Sequence, residues 1–171
     1  MARRLRRLRP VEPDFAEKAP VRLVFTARAA AAPEAVYRAL AEDVTGWPLW
    51  FGAVTLARPT RGGAGREIGL RGGVRFQETV MTTEPGRRYA YRVDGTNALG
   101  VRALLEEWRL TDAPATAGAP AGGTLVRWTF AADGPAAFRL ALTAARPGLG
   151  RSFRSAVRAL DTRLAAHSRN G

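Results

Sequence analysis

The chain has 171 residues, 46% of them apolar, enough to build one domain with a real core. It has no cysteine, which removes disulfides, thiolate catalysis and cysteine metal sites together. The net charge of +12 points first to nucleic acid, but the basic residues are dispersed and nearly all arginine, with Lys18 the single lysine, and no aromatics interleave with a compact basic stripe, so the pattern argues against that partner.

Residues 1–20 read as a flexible basic tail. Arg3, Arg4, Arg6, Arg7 and Arg9 crowd its start, and Pro10, Pro13 and Pro20 punctuate it. Leu5 and Leu8 offer one weak amphipathic turn toward an anionic surface. No apolar stretch follows the basic residues, so the segment does not read as a secretory signal. No run approaches the roughly 20 apolar residues of a membrane-spanning helix. The expectation is a cytoplasmic protein whose domain covers 21–167, with 168–171 a short C-terminal tail.

The first strand starts at Val21, where Val21, Leu23, Phe25 and Ala27 alternate with Arg22, Val24, Thr26 and Arg28. Pro33 opens a helix at a position where a missing N–H costs nothing, and Glu34 suits its positive end. Asp43 caps a second short helix or turn holding Trp47, Pro48, Leu49, Trp50 and Phe51. Strands then follow at 54–58, 66–70, 74–82, 88–94, 101–111 and 124–131. Turns at Pro59–Gly65, Gly72–Gly73 and Glu84–Gly86 separate the first four, and a Pro/Gly/Ala loop at 113–123 precedes the last. The connections are too short for helical crossovers, so the neighbours are antiparallel. Beyond 131 the period changes. A short helix over 136–146 and a break at Pro147-Gly148 lead to a long helix whose apolar stripe is Phe153, Val157, Leu160 and Leu164.

Strand, two helices, six strands and a terminal helix define an α+β, helix-grip architecture: a curved antiparallel sheet of about seven strands wrapped around a long C-terminal helix. Three stretches carry a family resemblance. They are Ala32-Pro33-Glu34-Ala35-Val36-Tyr37 with Leu40, Asp43 and Trp47; Glu78-Thr79-Val80 followed by Glu84-Pro85-Gly86-Arg87-Arg88-Tyr89; and Gly122-Gly123-Thr124 entering the last strand. In this order they resemble the SRPBCC, or START-like, superfamily of polyketide cyclases and lipid-transfer domains, over about residues 21–166. The resemblance implies the helix-grip fold and a cavity for an apolar small molecule. One fold hosts many functions, so it does not name the ligand.

Enzyme signatures are sparse. His167 is the only histidine, near the C-terminus, and the serines at 152, 155 and 168 complete no Ser–His–Asp arrangement. No cluster has metal-ligand spacing, and no cofactor motif is present; Gly62-Gly63-Ala64-Gly65 lacks the Lys of a phosphate loop. What remains is two carboxylates on apolar strand faces: Glu78 with Phe76 and Val80, and Glu106 with Leu104, Trp108 and Leu110. A buried charge is paired or neutralised, and Arg66 or Arg127 is the nearest candidate partner. Structural ion pairing is one reading of these carboxylates; the other is that Glu78, Glu106 and Tyr91 orient a polar ligand or move protons. The expected ligand-lining set is Trp47, Trp50, Phe76, Glu78, Tyr91, Glu106, Trp108, Trp128, Phe153 and Val157. The leading expectation is binding of a lipid or polyketide-like molecule in an internal cavity. The alternative is an aromatase or cyclase that folds a polyketide chain and assists with acid–base catalysis. A third is an interaction protein using its basic surface.

Overall fold

The computed structural model describes residues 4–116 and 122–168. Eight strands form one antiparallel sheet. They are β1 (Arg6–Arg7), β2 (Val21–Ala29), β3 (Val54–Thr60), β4 (Gly65–Leu70), β5 (Arg75–Glu84), β6 (Arg88–Thr96), β7 (Ala103–Asp112) and β8 (Thr124–Asp133). The order is β2-β8-β7-β6-β5-β4-β3, with β1 added against β6. The helices are α1 (Phe15–Lys18), α2 (Pro33–Tyr37), α3 (Ala136–Ala144) and α4 (Arg146–Ser168). The helix-grip expectation is met: the terminal helix lies across the concave face of the bent sheet.

The bend has local causes. The β5–β6 register shifts between Gln77 and Glu78 and again between Val80 and Thr82. Each irregularity adds twist and lets the sheet wrap rather than lie flat. Gly123, at φ 74°, turns the chain into β8, and a Cβ there would overlap the Ala29 carbonyl oxygen. Only glycine fits both conditions. After α2 the chain makes a π-turn, the Asp43 N–H bonding the Arg38 carbonyl at 2.8 Å. Asp43 then caps a 3₁₀ segment over Val44–Leu49 by accepting from the Gly46 N–H at 3.1 Å. This turn drops Trp47, Trp50 and Phe51 into the grip. The break between α3 and α4 falls at Ala145, just before Pro147, which sits in the first turn of α4 where its missing N–H is tolerated. Phe153, Val157 and Leu160 of α4 are buried as its period requires, and Leu164 packs at the edge.

Residues 1–20 are not a tail from residue 4 onward. Arg6 and Arg7 pair with Thr96 and Gly95. The Leu8 N–H then bonds the Asp94 carbonyl and the Arg9 N–H the Arg102 carbonyl, both at 2.8 Å. The segment thus fills the gap where β6 and β7 diverge. Val11, Phe15 and Ala16 continue over the convex face and cover Ala103, Leu105 and Ala131 in a second, small core. The physical reason is that the first half of β7 is apolar on both faces, with Ala103 and Leu105 outward. Its outward residues would be solvated without a cover, and the prolines that look like tail punctuation steer the chain across them. At the other end, α4 runs through Ser168, and 169–171 of the expected C-terminal tail lie outside the described residues.

Candidate functional site

The interior of the grip holds an aromatic stack with a polar relay inside it. Trp108 and Trp128 come from facing positions on β7 and β8 and lie nearly parallel, centroids 5.6 Å apart. Phe153 of α4 stacks on Trp128 at 5.7 Å, and Phe25 of β2 closes the other side at 5.6 Å. Trp47 and Phe51 meet Trp108 edge-on at 5.8 and 6.4 Å. Such edge-to-face and offset contacts are favourable beyond the area they bury.

The relay begins at Arg66 on β4, which faces Glu78 on β5 in register and forms a fully buried ion pair with it. The guanidinium lies 3.6 Å from the Tyr91 ring centroid, 4.3 Å from that of Trp47 and 5.5 Å from that of Tyr89. The ring faces thereby replace part of the lost hydration. Tyr91 donates its O–H to Glu106 Oε2 at 2.8 Å and accepts the Trp108 Nε1–H at 3.0 Å. Trp128 Nε1–H also donates to Glu106 Oε2, at 3.0 Å. Two donors in this core have no acceptor among the described residues: Trp50 Nε1 and Arg66 Nη1. Orphaned buried donors are rare in native interiors.

Burial governs the protonation of this set. It pushes the Glu78 carboxyl up to about 7; the Arg66 charge pulls it back, and Glu106 pushes it up again. Burial likewise raises Glu106, against the hydrogen bond from Tyr91 and the Arg66 charge. Burial also holds the Tyr91 phenol well above its ordinary value, so it stays a donor at neutral pH. For Arg66, burial is the largest influence and works against the charge, but Glu78, Tyr91 and Tyr89 together outweigh it and the net direction is upward. One cation thus faces two carboxyl groups that compete for it.

The structure brings all ten expected lining residues into one buried cluster. They do so chiefly by touching each other, because the 47–51 turn inserts between sheet and helix and occupies the room beneath α4. Of the two arginines named as partners, Arg66 makes the pair. Arg127 is exposed, its strand phase pointing outward. The phase of Arg66 on its short strand was not legible in the sequence; the β4–β5 register, with Arg66 opposite Glu78, supplies it. Tyr89 and Phe51 were missed as members of the cluster. Their alternation and aromatic neighbours were visible, but their partners lie on distant strands.

Clefts among the described residues flank this core, and three bear on it. One of about 880 Å³ lies between residues 30–43 and the end of α4, among alanines and the Arg163–Asp43 pair. One of about 580 Å³ lies between Pro48–Ala53 and the first half of α4, lined by Trp50, Arg151, Ser152 and Ser155. A third, about 360 Å³, is lined by Arg61, Arg66, Glu67, Glu78 and Asp94. The largest has the poorest claim as a route inward, because its walls do not include the aromatic cluster. The second does, through Trp50. Its polar wall, from the side of α4 opposite Phe153, had no sequence signal.

Fold and interior define a START-like helix-grip domain. Residues 20–165 match the family described as polyketide cyclase / dehydrase and lipid transport, and the chain belongs to it. An uncharacterized protein of Mycobacterium tuberculosis is 34% identical over 164 residues, spanning 90% of this chain and 92% of the relative. A START superfamily protein from Mycobacterium smegmatis has the same fold, with TM-score 0.62, 11% identity and coverage of 85% of this chain and 97% of that one. The protein XoxI from Bacillus cereus matches with TM-score 0.66, 16% identity and coverage of 85% and 96%. Among the described residues, no helix is long and apolar enough to cross a membrane.

Proposed function

We propose that this domain binds an apolar small molecule, admitted between the Trp47–Ala53 segment and α4. The observation that carries the reading is the 580 Å³ cleft backed by Trp50, whose indole N–H is buried without an acceptor. Ligand pockets of roughly 300–1,000 Å³ with an apolar wall and few polar groups are the usual form. An outward swing of Trp50 would extend the cleft toward Trp108, Trp128 and Phe153. A ligand oxygen there would supply the acceptor that Trp50 lacks, and a deeper one would reach Arg66. The family's description, covering cyclases and lipid transport, supports an apolar cargo of this kind. The test is native mass spectrometry of freshly purified protein, with a tryptophan-emission titration against the apolar dye anilinonaphthalene sulfonate. A retained adduct or saturable dye uptake that Trp50→Ala alters supports the reading. Bare protein with no saturable uptake ends it.

A second reading, acid–base catalysis on a polyketide-like chain, is favoured by one observation. Glu78, at about 7, is poised between protonation states near neutral pH beside Glu106 and Tyr91. Glu78→Gln and Glu106→Gln should then lower turnover of a poly-β-ketone probe with binding kept. Normal turnover in both variants removes these residues from any chemical role.

A further inference from the structure

The outer side of the α3–α4 segment, two helices joined at a kink at Ala145, is charged out of proportion to its size. Residues 136–168 contain Arg139, Arg146, Arg151, Arg154, Arg158 and Arg163 against one acid, Asp161, a net +5. Asp161 is engaged elsewhere, accepting the Ala30 and Ala31 N–H groups at 2.9 and 3.0 Å. Arg163 pairs with Asp43. Arg151, Arg154 and Arg158 are exposed and have no ion-pair partner among the described residues. At 100° per residue they fall within one 60° arc of α4, facing away from Phe153, Val157 and Leu160.

Two large apolar side chains stand in water on the segments that adjoin α4. Leu140 on α3 is 73% exposed, and Leu49, at the rim of the 580 Å³ cleft, is 66% exposed. Arg151 lines the same cleft, and α3 joins α4 at Ala145, three residues before Gly148 in its wall. Exposed leucines on segments adjoining a row of unpaired arginines suit a surface that seats on an anionic bilayer. The arginines meet phosphates and the leucines enter the acyl boundary. Nucleic acid would use the arginines but gives the leucines nothing to enter, since single-strand binding calls for exposed aromatic platforms.

We infer that the outer α3–α4 face docks the protein on anionic lipid, with the cleft mouth at the bilayer. This goes beyond ligand binding and is tested without any cargo. The full chain is floated with phosphatidylcholine vesicles, with and without phosphatidylglycerol, at low and high salt, alongside binding to duplex DNA. The expected result is salt-sensitive binding only where phosphatidylglycerol is present. Arg151→Gln/Arg154→Gln/Arg158→Gln should weaken it about a hundred-fold, near five-fold per arginine. Leu49→Ser/Leu140→Ser should weaken it at unchanged charge, and both sets, being exposed, should keep the wild-type melting temperature. Three outcomes overturn the inference: equal binding to neutral vesicles, triple-variant binding as strong as wild type, or loss with the arginines but not the leucines. The last, joined to tight DNA binding, would make the face a nucleic-acid site.

Discussion

Replacing Arg66 by methionine isolates the energetics of the buried pair. Methionine keeps much of the aliphatic volume between Tyr91 and Trp47 but removes the charge that faces Glu78. A Glu78 value of about 7 in the folded chain, against an ordinary 4.5, makes the ionised native form about 3 kcal/mol less favourable than the same group in the unfolded chain. The sign follows: the folded value lies above the unfolded one, so this contribution is full below about pH 4.5 and is lost as pH rises through 7. Without Arg66 the pull on Glu78 toward lower values vanishes, and its folded value moves further up. At about pH 8 the variant then buries a lone carboxylate or holds a proton against the solution, and it should lose about 4 kcal/mol relative to wild type. At about pH 5 Glu78 is protonated in both proteins, and the deficit should shrink to about 1–2 kcal/mol from lost packing and cation–π contact. Urea unfolding followed by tryptophan emission at both pH values reads the difference, with the slope of the transition checked for constancy. A deficit that is the same at both pH values refutes the claim that burial and Arg66 together set the Glu78 protonation state.

Three further outcomes follow from the geometry. Phe15→Ala should destabilise the domain by about 2–4 kcal/mol by opening the second core under Leu105 and Ala131; a loss below about 0.5 kcal/mol in thermal unfolding would return residues 4–20 to the status of a tail. Tyr91→Phe strips the Trp108 N–H of its acceptor and Glu106 of a donor, so it should lose about 1–3 kcal/mol at pH 7. Calorimetry of the double change with Trp108→Phe should show the two effects to be less than additive. Gly123→Ala should lower the melting temperature by several degrees, on the order of 2 kcal/mol, because it strains φ 74° and drives a methyl toward the Ala29 carbonyl; an unchanged melt would show that the turn relaxes freely.

The strand segments and the inner face of α4 were legible because both rest on period. Alternation in 74–82 and 101–111 placed Glu78 and Glu106 inward, and the spacing of Phe153, Val157 and Leu160 placed the helix on them. What escaped was information held in pairs of distant residues. Phe15 is half of a contact whose other half is Leu105, and nothing near residue 15 announces that the first half of β7 is apolar on its convex face as well. The 47–51 cluster was visible as aromatic, but whether it walls a space or fills one depends on the angle at which the Asp43-capped turn enters the grip. That angle comes from the π-turn at Arg38–Glu42, an i to i+5 bond that no residue preference signals.

The relay is a poor device for stability, and that bears on its role. Replacing a buried ion pair with apolar residues of similar volume is often neutral or stabilising by about 1–4 kcal/mol, whereas breaking one partner alone is strongly destabilising. Arg66→Met/Glu78→Leu should therefore recover most of what Arg66→Met loses at pH 8, with the stack of Trp108, Trp128 and Phe153 intact in near-ultraviolet dichroism. If the polar core serves a ligand, this well-folded double variant should still take up a purely apolar probe through the Trp50 cleft. It should also lose its preference for probes that carry an oxygen acceptor, because the Arg66 Nη1 donor has gone. Isothermal titration with a matched pair, an aryl ketone and the corresponding alkylarene, separates the two. Unchanged discrimination between them in the double variant would show that Arg66 and Glu78 hold the strands in register and nothing more.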